Sequence, residues 1–193
     1  MKFTYAVLGA GRQGTAAAYD MARFGEADQV ILMDKDPYVA ERAAQRVNHL
    51  LKSNVAAAKH VDVTDIAAVE RALTGVQAFV SAVPYYFNLD ITRAAIKAKA
   101  SMCDLGDNTD IVRQQHAFSF AAHEVGISLI PDCGPVPGLG TSLTVYTMGL
   151  LDPAADPRPG IRKTADDGPS IPARLQISSI APFPCQLTPA QAS

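Results

Sequence analysis

The sequence of 193 residues contains no tryptophan, and it has only three cysteines and four histidines. The cysteines, Cys103, Cys133 and Cys185, are widely spaced without a CxxC pair, and the histidines show no metal-ligand spacing. This pattern excludes a disulfide framework and a zinc site as first interpretations, and no metal is expected. The cysteines are instead typical of thiols in a reduced compartment.

A strong charge imbalance and long apolar runs are also missing. The net charge is −2, from 17 basic and 19 acidic side chains, which gives no electrostatic attraction to nucleic acid or to an anionic membrane. No apolar run approaches the ~18 residues of a membrane-spanning helix, and Arg12 interrupts the first apolar stretch too early for a signal peptide. We expect a cytoplasmic protein with no nucleic-acid partner and no membrane partner.

Proline is scarce in the first part of the chain and frequent in the last. Eight of the thirteen prolines lie within the last 43 residues, where Phe183 is the only aromatic side chain. Such a stretch has few anchors for a core and little capacity for regular structure. We predict one domain over residues 1–151 and an irregular tail over residues 152–193.

Short apolar runs alternate with helical patterns before this tail, which is typical of βαβ units and a parallel sheet. Strands are predicted over residues 3–8, 30–33, 57–61, 76–83, 101–105 and 127–130. Helices are predicted over residues 14–24, 37–51, 88–100, 110–124 and 141–150, with one more after residue 64. Asp36 and Thr64 are the expected N-caps, and Gly75 and Gly126 the expected C-terminal stops. The expected fold is α/β, a Rossmann-type doubly wound parallel sheet of order 3-2-1-4-5-6.

The most informative motif is GAGRQG, from Gly9 to Gly14, between the first strand and the first helix. In this position Gly9 permits a tight turn, Gly11 lets the backbone approach a pyrophosphate, and Gly14 lets the helix pack closely on the strand. The motif includes Arg12 and Gln13, whose backbone N–H groups begin the helix and favour phosphate binding. The alternative is an ordinary turn between a strand and a helix.

Asp34 ends the second strand, twenty positions after Gly14. A carboxylate there accepts hydrogen bonds from the adenosine ribose hydroxyls and repels a 2′-phosphate, which favours NAD as the cofactor over NADP. Lys35 is adjacent and partly offsets that charge, so NADP stays possible. Asp34 is otherwise an ordinary capping or loop acid.

Other residues follow strands that end at the same edge of the sheet. Asp62 and Val63 are candidates to flank the adenine, although Asp62 is equally well explained as a solvated turn residue. Ala82 and Pro84 end the fourth strand, where a small side chain leaves room for a dinucleotide; the alternative is a plain buried strand end. A glycine- and proline-rich segment over residues 131–140 precedes the last helix. It is interpreted either as a loop near the nicotinamide or as a rigid turn at a domain boundary.

Four segments resemble the saccharopine dehydrogenase-like family in their order and spacing. They are GAGRQG from Gly9, AVPYYFN from Ala82, CDLGDNT from Cys103 and IPDCGPVPG from Ile130. Within this family the chain is most similar to the L-lysine 6-dehydrogenase branch. The resemblance extends from about residue 2 to residue 151.

The resemblance implies NAD(P)-dependent oxidation of the CH–NH group of a lysine-related amino acid, with hydride passing to the nicotinamide. By their positions in the matching segments, it also implies catalytic or substrate-side roles for Tyr85, Asn88, Asp107 and Asp132. Either aspartate is a candidate hydrogen-bond acceptor or base for the amine. The alternative is that carboxylates and amides at strand ends cap the next helix.

Members of the family resemble one another in a second, sheet-rich domain that supplies much of the amino-acid pocket and a homodimer contact. No alternating strand pattern follows residue 151, so we expect a truncated or frame-shifted form that binds cofactor with little turnover and has lost the dimer contact. One alternative function is a non-catalytic NAD-binding regulatory module, which the segment over residues 135–138 disfavours. Another outcome is a protein that does not fold stably because one face is uncovered.

Overall fold

The expected parallel sheet is present in the computed structural model, which describes residues 3–106, 108–134 and 140–150. All five pairs of neighbouring strands are parallel, and the strand order is β3-β2-β1-β4-β5-β6. The strands are β1 (Phe3–Leu8), β2 (Ala27–Asp34), β3 (Ala56–His60), β4 (Ala78–Ser81), β5 (Ser101–Asp104) and β6 (Leu129–Ile130). The strands β2 and β3 lie on one side of β1, and β4, β5 and β6 lie on the other. The carboxyl ends of β1 and β4 therefore form the crevice where such sheets bind ligands.

Helices connect the strands. Those in the described residues are α1 (Arg12–Phe24), α2 (Pro37–Leu51), α3 (Ile66–Leu73), α4 (Asn88–Ala98), α5 (Thr109–His116), α6 (Ser119–Val125) and α7 (Gly140–Leu150), with a short 3-10 turn at Tyr85–Phe87. The start of α2 confirms its prediction, because the Asp36 side chain accepts the N–H of Tyr38 and Pro37 occupies the first turn.

Successive residues of β1 serve two separate cores. Val7 packs with buried residues of α1 and α2, whereas Ala6 and Leu8 pack with buried residues of α3 and α4. Side chains alternate between the faces of a strand, so helices cover the sheet on both sides. This two-sided burial is why the central strands carry consecutive apolar residues, with Val7, Leu8, Val30 and Leu32 fully buried.

Two predicted helix features were wrong. Asp65, and not Thr64, caps α3: its side chain accepts the N–H of Ala68, while the Thr64 hydroxyl donates to Asp62. The helix predicted over residues 110–124 is two helices, α5 and α6. The N–H groups of Ala117 and Phe118 bond three residues back, and this tighter winding ends α5.

Other differences concern the ends of elements. The fourth strand is shorter than its apolar run, and β6 starts at Leu129 because the N–H of Ile127 bonds to Ala122 and closes α6. Helix α4 stops at Ala98, since Lys99 adopts a left-handed conformation with φ of 56°.

Backbone contacts divide the chain into two units, Met1–Val145 and Tyr146–Ser193. The predicted helix over residues 141–150 is present as α7. The predicted tail, residues 152–193, lies outside the described residues, and the boundary after residue 151 stays a prediction.

The position of the α3 cap can be tested by comparing two alanine substitutions. Asp65→Ala removes the acceptor of the Ala68 N–H, and we expect it to lower the free energy of unfolding by about 1 kcal/mol. Thr64→Ala removes only an exposed hydroxyl contact and should cost less than about 0.5 kcal/mol. Urea unfolding measures both, and a larger loss for Thr64→Ala would restore it as the cap.

Candidate functional site

The glycine loop follows β1 and is held against the strands on either side. Gly9 has a φ of 91°, and its N–H donates to the carbonyl oxygen of Met33 on β2 at 2.8 Å. A Cβ at Gly9 would lie 2.7 Å from the carbonyl oxygen of Ala82, just after β4. A side chain fits neither the backbone conformation nor the space, so glycine is required here.

Gly14 and Gly11 have opposite surroundings. A Cβ at Gly14 would lie 1.8 Å from the carbonyl oxygen of Gly9, so only glycine lets α1 approach the loop this closely. A Cβ at Gly11 would meet no atom of the described residues within 4 Å. Gly11 is exposed and therefore borders open space, as the expected approach of a pyrophosphate requires.

Helix α1 begins without a side chain that would occupy its free N–H groups. Gly11 is its N-cap, and within the described residues no side chain caps it and no acidic residue lies in its first turn. By contrast, Asp36, Asp65 and Asn108 cap α2, α3 and α5 with side-chain oxygens. The first N–H groups and the positive end of the helix dipole are thus left for an external anion.

Asp34 stands beside this loop and is half-buried. Its Oδ2 accepts the N–H of Ala10 at 2.9 Å, and its Oδ1 accepts the N–H of Asp36 at 3.0 Å. The carboxylate therefore ties the glycine loop to the end of β2, which places negative charge where the ribose is expected. Its contact with ribose hydroxyls stays a prediction.

Asp62 is exposed and belongs to a turn. Its Oδ1 accepts the backbone N–H of Thr64 at 2.9 Å and the Thr64 hydroxyl at 2.8 Å. These two hydrogen bonds lower the pKa of the Asp62 carboxyl below its usual value, and Lys35 and His60 lower it further. The turn interpretation accounts for all of this. The adenine contact predicted for Asp62, and for the half-buried Val63, stays a prediction.

The end of β4 lies next to the glycine loop. The N–H of Ala82 donates to the carbonyl oxygen of Leu8 at 2.8 Å, and Ala82 is half-buried. Pro84 is exposed and precedes the 3-10 turn. Both residues border the crevice between β1 and β4, although no dinucleotide contact is tested for either.

The four predicted catalytic residues are placed differently. Tyr85 is half-buried in the 3-10 turn, and Asn88 is buried, with its Oδ1 accepting the hydroxyl of Ser81 at 2.8 Å. Asp132 has a φ of 62° and its N–H donates to Asp104. Asp107 lies outside the described residues, as do Pro135 to Gly138 of the glycine- and proline-rich segment. Catalytic roles for all four stay predictions.

A cluster of four buried polar residues near these side chains was not predicted from the sequence. Its members are Ser81, Thr92, Asp104 and Gln115, all with less than 5% of their surface exposed. Ser81 and Asp104 end strands β4 and β5, so the available signal was a polar residue closing an apolar run. The burial of Gln115 on α5 left no such signal.

The two described cysteines are thiols and half-buried. Burial, followed by repulsion from Cys133, raises the pKa of the Cys103 thiol to about 12. A thiol of this kind is a poor nucleophile at neutral pH. Within the described residues, no group of three or more His, Cys, Asp or Glu side chains is arranged to hold a metal ion.

This geometry agrees with a comparison against protein families. The family described as "Saccharopine dehydrogenase NADP binding domain" matches residues 5–129, which is more than half of the chain. The chain belongs to this family. The cofactor class of the saccharopine dehydrogenase NADP-binding domain, a nicotinamide dinucleotide, is thereby confirmed for the chain, and the predicted resemblance is confirmed with it.

Solved structures with the same fold belong to longer proteins. Apo saccharopine dehydrogenase (L-Glu forming) from Saccharomyces cerevisiae matches with a TM-score of 0.60 and 20% identity, over 77% of this chain and 31% of its own. An NAD binding oxidoreductase from Klebsiella pneumoniae matches with a TM-score of 0.52 and 18% identity, over 77% of this chain and 39% of its own. At these identities the likeness shows the fold, and the chain spans less than two fifths of either protein.

None of the described helices is long and apolar enough to cross a membrane. The expectations of a cytoplasmic location and a lost homodimer contact stay predictions.

Two glycine substitutions should separate packing from ligand binding. Gly14→Ala places a methyl group against the Gly9 carbonyl, and we expect it to lower the free energy of unfolding by about 1–3 kcal/mol. Gly11→Ala enters open space, so we expect a change below about 1 kcal/mol but an NAD affinity reduced about tenfold. Thermal unfolding and NAD titration measure the two effects. Normal NAD binding by a folded Gly11→Ala variant would contradict the role of Gly11.

Proposed function

We propose that this chain binds NAD, with NADP as the weaker ligand, and supplies the cofactor-binding part of an oxidoreductase acting on the CH–NH group of a lysine-related amino acid. The observation that carries the proposal is the uncapped N-terminus of α1 beside open space at Gly11, with the Asp34 carboxylate fixed next to it. Family membership supports the cofactor class, and the sequence resemblance supports the substrate class.

The chain's own residues divide the cofactor between them. The N–H groups of Gly11, Arg12 and Gln13 would hold the pyrophosphate, because they are the first donors of α1. Asp34 would accept the ribose hydroxyls, and Asp62 and Val63 would flank the adenine. Ala82 and Pro84 would border the nicotinamide half. When bound, the cofactor supplies a hydride acceptor.

The preference for NAD rests on the position of Asp34. Two backbone N–H groups hold this carboxylate at the end of β2, so it cannot turn away from a 2′-phosphate without breaking both hydrogen bonds. Repulsion there favours the unphosphorylated ribose. The family is described as NADP-binding, and Lys35 is the residue through which this chain would retain some NADP affinity.

The substrate side is proposed on the resemblance. Hydride transfer from a carbon that bears an amine needs the amine neutral and close to the nicotinamide. Asp107 and Asp132 are the proposed acceptors of the amine proton, and Tyr85 and Asn88 the proposed neighbours of the substrate. Asp132 follows β6 and Tyr85 follows β4, so both belong to loops at the carboxyl edge of the sheet.

A non-catalytic NAD-binding regulatory module is the second candidate. One observation favours it: Asn88 is only 1% exposed and its side-chain oxygen is already used by Ser81. A substrate contact through Asn88 would require that hydrogen bond to be replaced. The two candidates share the cofactor site and differ only in turnover.

Cofactor binding can be tested by ligand-induced stabilisation. A concentration of NAD about 100 times its Kd should stabilise the protein by about 2.7 kcal/mol. Asp34→Asn should weaken NAD binding and reduce the preference for NAD over NADP, because the negative charge is lost. Asp36→Asn is the matched control: it makes the same charge change two residues away, and asparagine still caps α2. Equal effects of the two variants would argue against Asp34 as the ribose acceptor.

Turnover distinguishes the oxidoreductase from the regulatory module. We expect the 193-residue chain to bind NAD but to form little or no NADH when incubated with L-lysine, because cofactor binding alone does not orient a substrate. NADH absorbance over time is the measurement. A steady lysine-dependent increase would contradict the expectation of little turnover, and its loss in Asp132→Asn would then assign the amine acceptor.

A further inference from the structure

A continuous chain of buried hydrogen bonds connects the ends of β4 and β5. The Ser81 hydroxyl donates to Asn88 Oδ1 at 2.8 Å, and the Thr92 hydroxyl donates to the carbonyl oxygen of Asn88 at 2.7 Å. Gln115 Nε2 donates to Thr92 Oγ1 at 3.0 Å and to Asp104 Oδ2 at 2.7 Å. The cofactor contacts proposed above do not use the side chains of Thr92, Gln115 or Asp104.

Asp104 is the end of this chain and the point where two loops meet. Its side chain is fully buried, and its Oδ1 accepts the N–H of Gly106 at 2.8 Å and the N–H of Asp132 at 3.0 Å. Its carbonyl oxygen accepts the N–H of Cys133 at 2.7 Å. The loop after β5 and the loop after β6 are therefore both attached to one residue.

The Asp104 side chain acts as a hydrogen-bond acceptor toward three groups. All three groups bonded to its side chain are N–H donors, as an ionised carboxyl requires. Gln115 turns its amino group toward Asp104, and its own Oε1 is left buried with no partner among the described residues. The Gln115 amide therefore makes its hydrogen bonds as a donor, to Thr92 and to Asp104.

The two loops also lock together sterically. A Cβ at Gly106, where φ is 70°, would lie 1.7 Å from Asp132 Oδ1, and a Cβ at Gly134 would lie 2.4 Å from the carbonyl oxygen of Leu105. With no room between the loops, the position of Asp132 depends on where Asp104 holds its N–H.

We propose that Asp104 is the positioning residue of the nicotinamide and substrate end of the site: its buried side chain holds Gly106 after β5 and Asp132 after β6. The proposal rests on the proposed function for the identity of that end. In a doubly wound sheet the loops after β1 to β3 serve the adenosine half, and the loops after β4 to β6 lie toward the nicotinamide. Asp104 should therefore affect one half of the cofactor and not the other.

The test compares ADP-ribose, which lacks nicotinamide, with NADH. In Asp104→Asn the charge is lost at nearly constant volume, and we expect NADH affinity to fall about tenfold or more, with ADP-ribose affinity changed less than about twofold. The fluorescence of the reduced nicotinamide ring provides a second readout, since it reports the surroundings of that ring. Any fluorescence increase that the wild-type protein produces on binding NADH should also be lost in Asp104→Asn.

Thr92→Val is the matched control. It removes a buried hydroxyl from the same hydrogen-bond chain but leaves the contacts of Asp104 with both loops. A general loss of stability should appear in both variants, whereas the split between NADH and ADP-ribose should appear only in Asp104→Asn. Equal losses of both ligands in Asp104→Asn, or the same split in Thr92→Val, would overturn the assignment. A wild-type protein that binds neither ligand would instead refute the proposed function, and the assignment with it.

A measurement on the wild type covers the case in which Asp104→Asn does not fold. The amides of Gly106, Asp132 and Cys133 lie in loops but donate to Asp104, so their hydrogen exchange should be slow compared with that of exposed loop amides. Fast exchange at Gly106 and Asp132 would show that Asp104 does not hold the loops and would overturn the proposal.

Discussion

The close approach of Gly14 to the carbonyl oxygen of Gly9 is the contact on which the geometry of the glycine loop depends. It brings the start of α1 directly to the end of β1, with no side chain between helix and loop. The same loop is bonded to β2 through Met33 and meets Ala82 after β4. Three central strands thus determine the position of a single turn, and the uncapped N–H groups of α1 acquire a fixed direction.

Asp34 and Asp104 use one arrangement at two places in the sheet. Each is the last residue of its strand, and each accepts the N–H two residues later, from Asp36 and from Gly106. Each also accepts an N–H from the loop after a neighbouring strand, from Ala10 in one case and from Asp132 in the other. A strand-end carboxylate thereby ties two loops at the carboxyl edge. The difference is exposure: Asp34 can still meet a ligand, whereas Asp104 is completely buried and can act only through the loops that it holds.

Local sequence was sufficient to predict the fold and the tight packing of the glycine loop. The alternation of apolar runs gave the strand order, and Gly9, Gly11 and Gly14 act within one turn, so their spacing alone carries the information. The error at the start of α3 arose because two neighbouring residues compete for one role. Thr64 and Asp65 both suit an N-cap, and only the backbone conformation shows that Asp65 takes it.

The hydrogen bonds around Asp104 could not be predicted in the same way, because they join residues that are far apart in sequence. Asp104 and Asp132 are separated by 28 positions, and Thr92 and Gln115 by 23. No local pattern marks such pairs, and a polar residue that closes a strand looks the same whether it faces solvent or anchors a loop.

The glycine loop and the hydrogen bonds around Asp104 also differ in how many segments of the chain they need. The glycine loop joins β1 to α1 directly, and its outside contacts are with the ends of the neighbouring strands β2 and β4. The hydrogen bonds of Asp104 need four separate segments, β5, α5 and the loops at Gly106 and Asp132, to come together around one buried side chain. A buried carboxyl group that loses its hydrogen-bond donors is costly, so displacement of any one of these segments should destabilise the arrangement of the others. The proposed cofactor contacts at the glycine loop and the residues that Asp104 holds therefore depend on different parts of the fold, and a substitution in one part can be tested without changing the other.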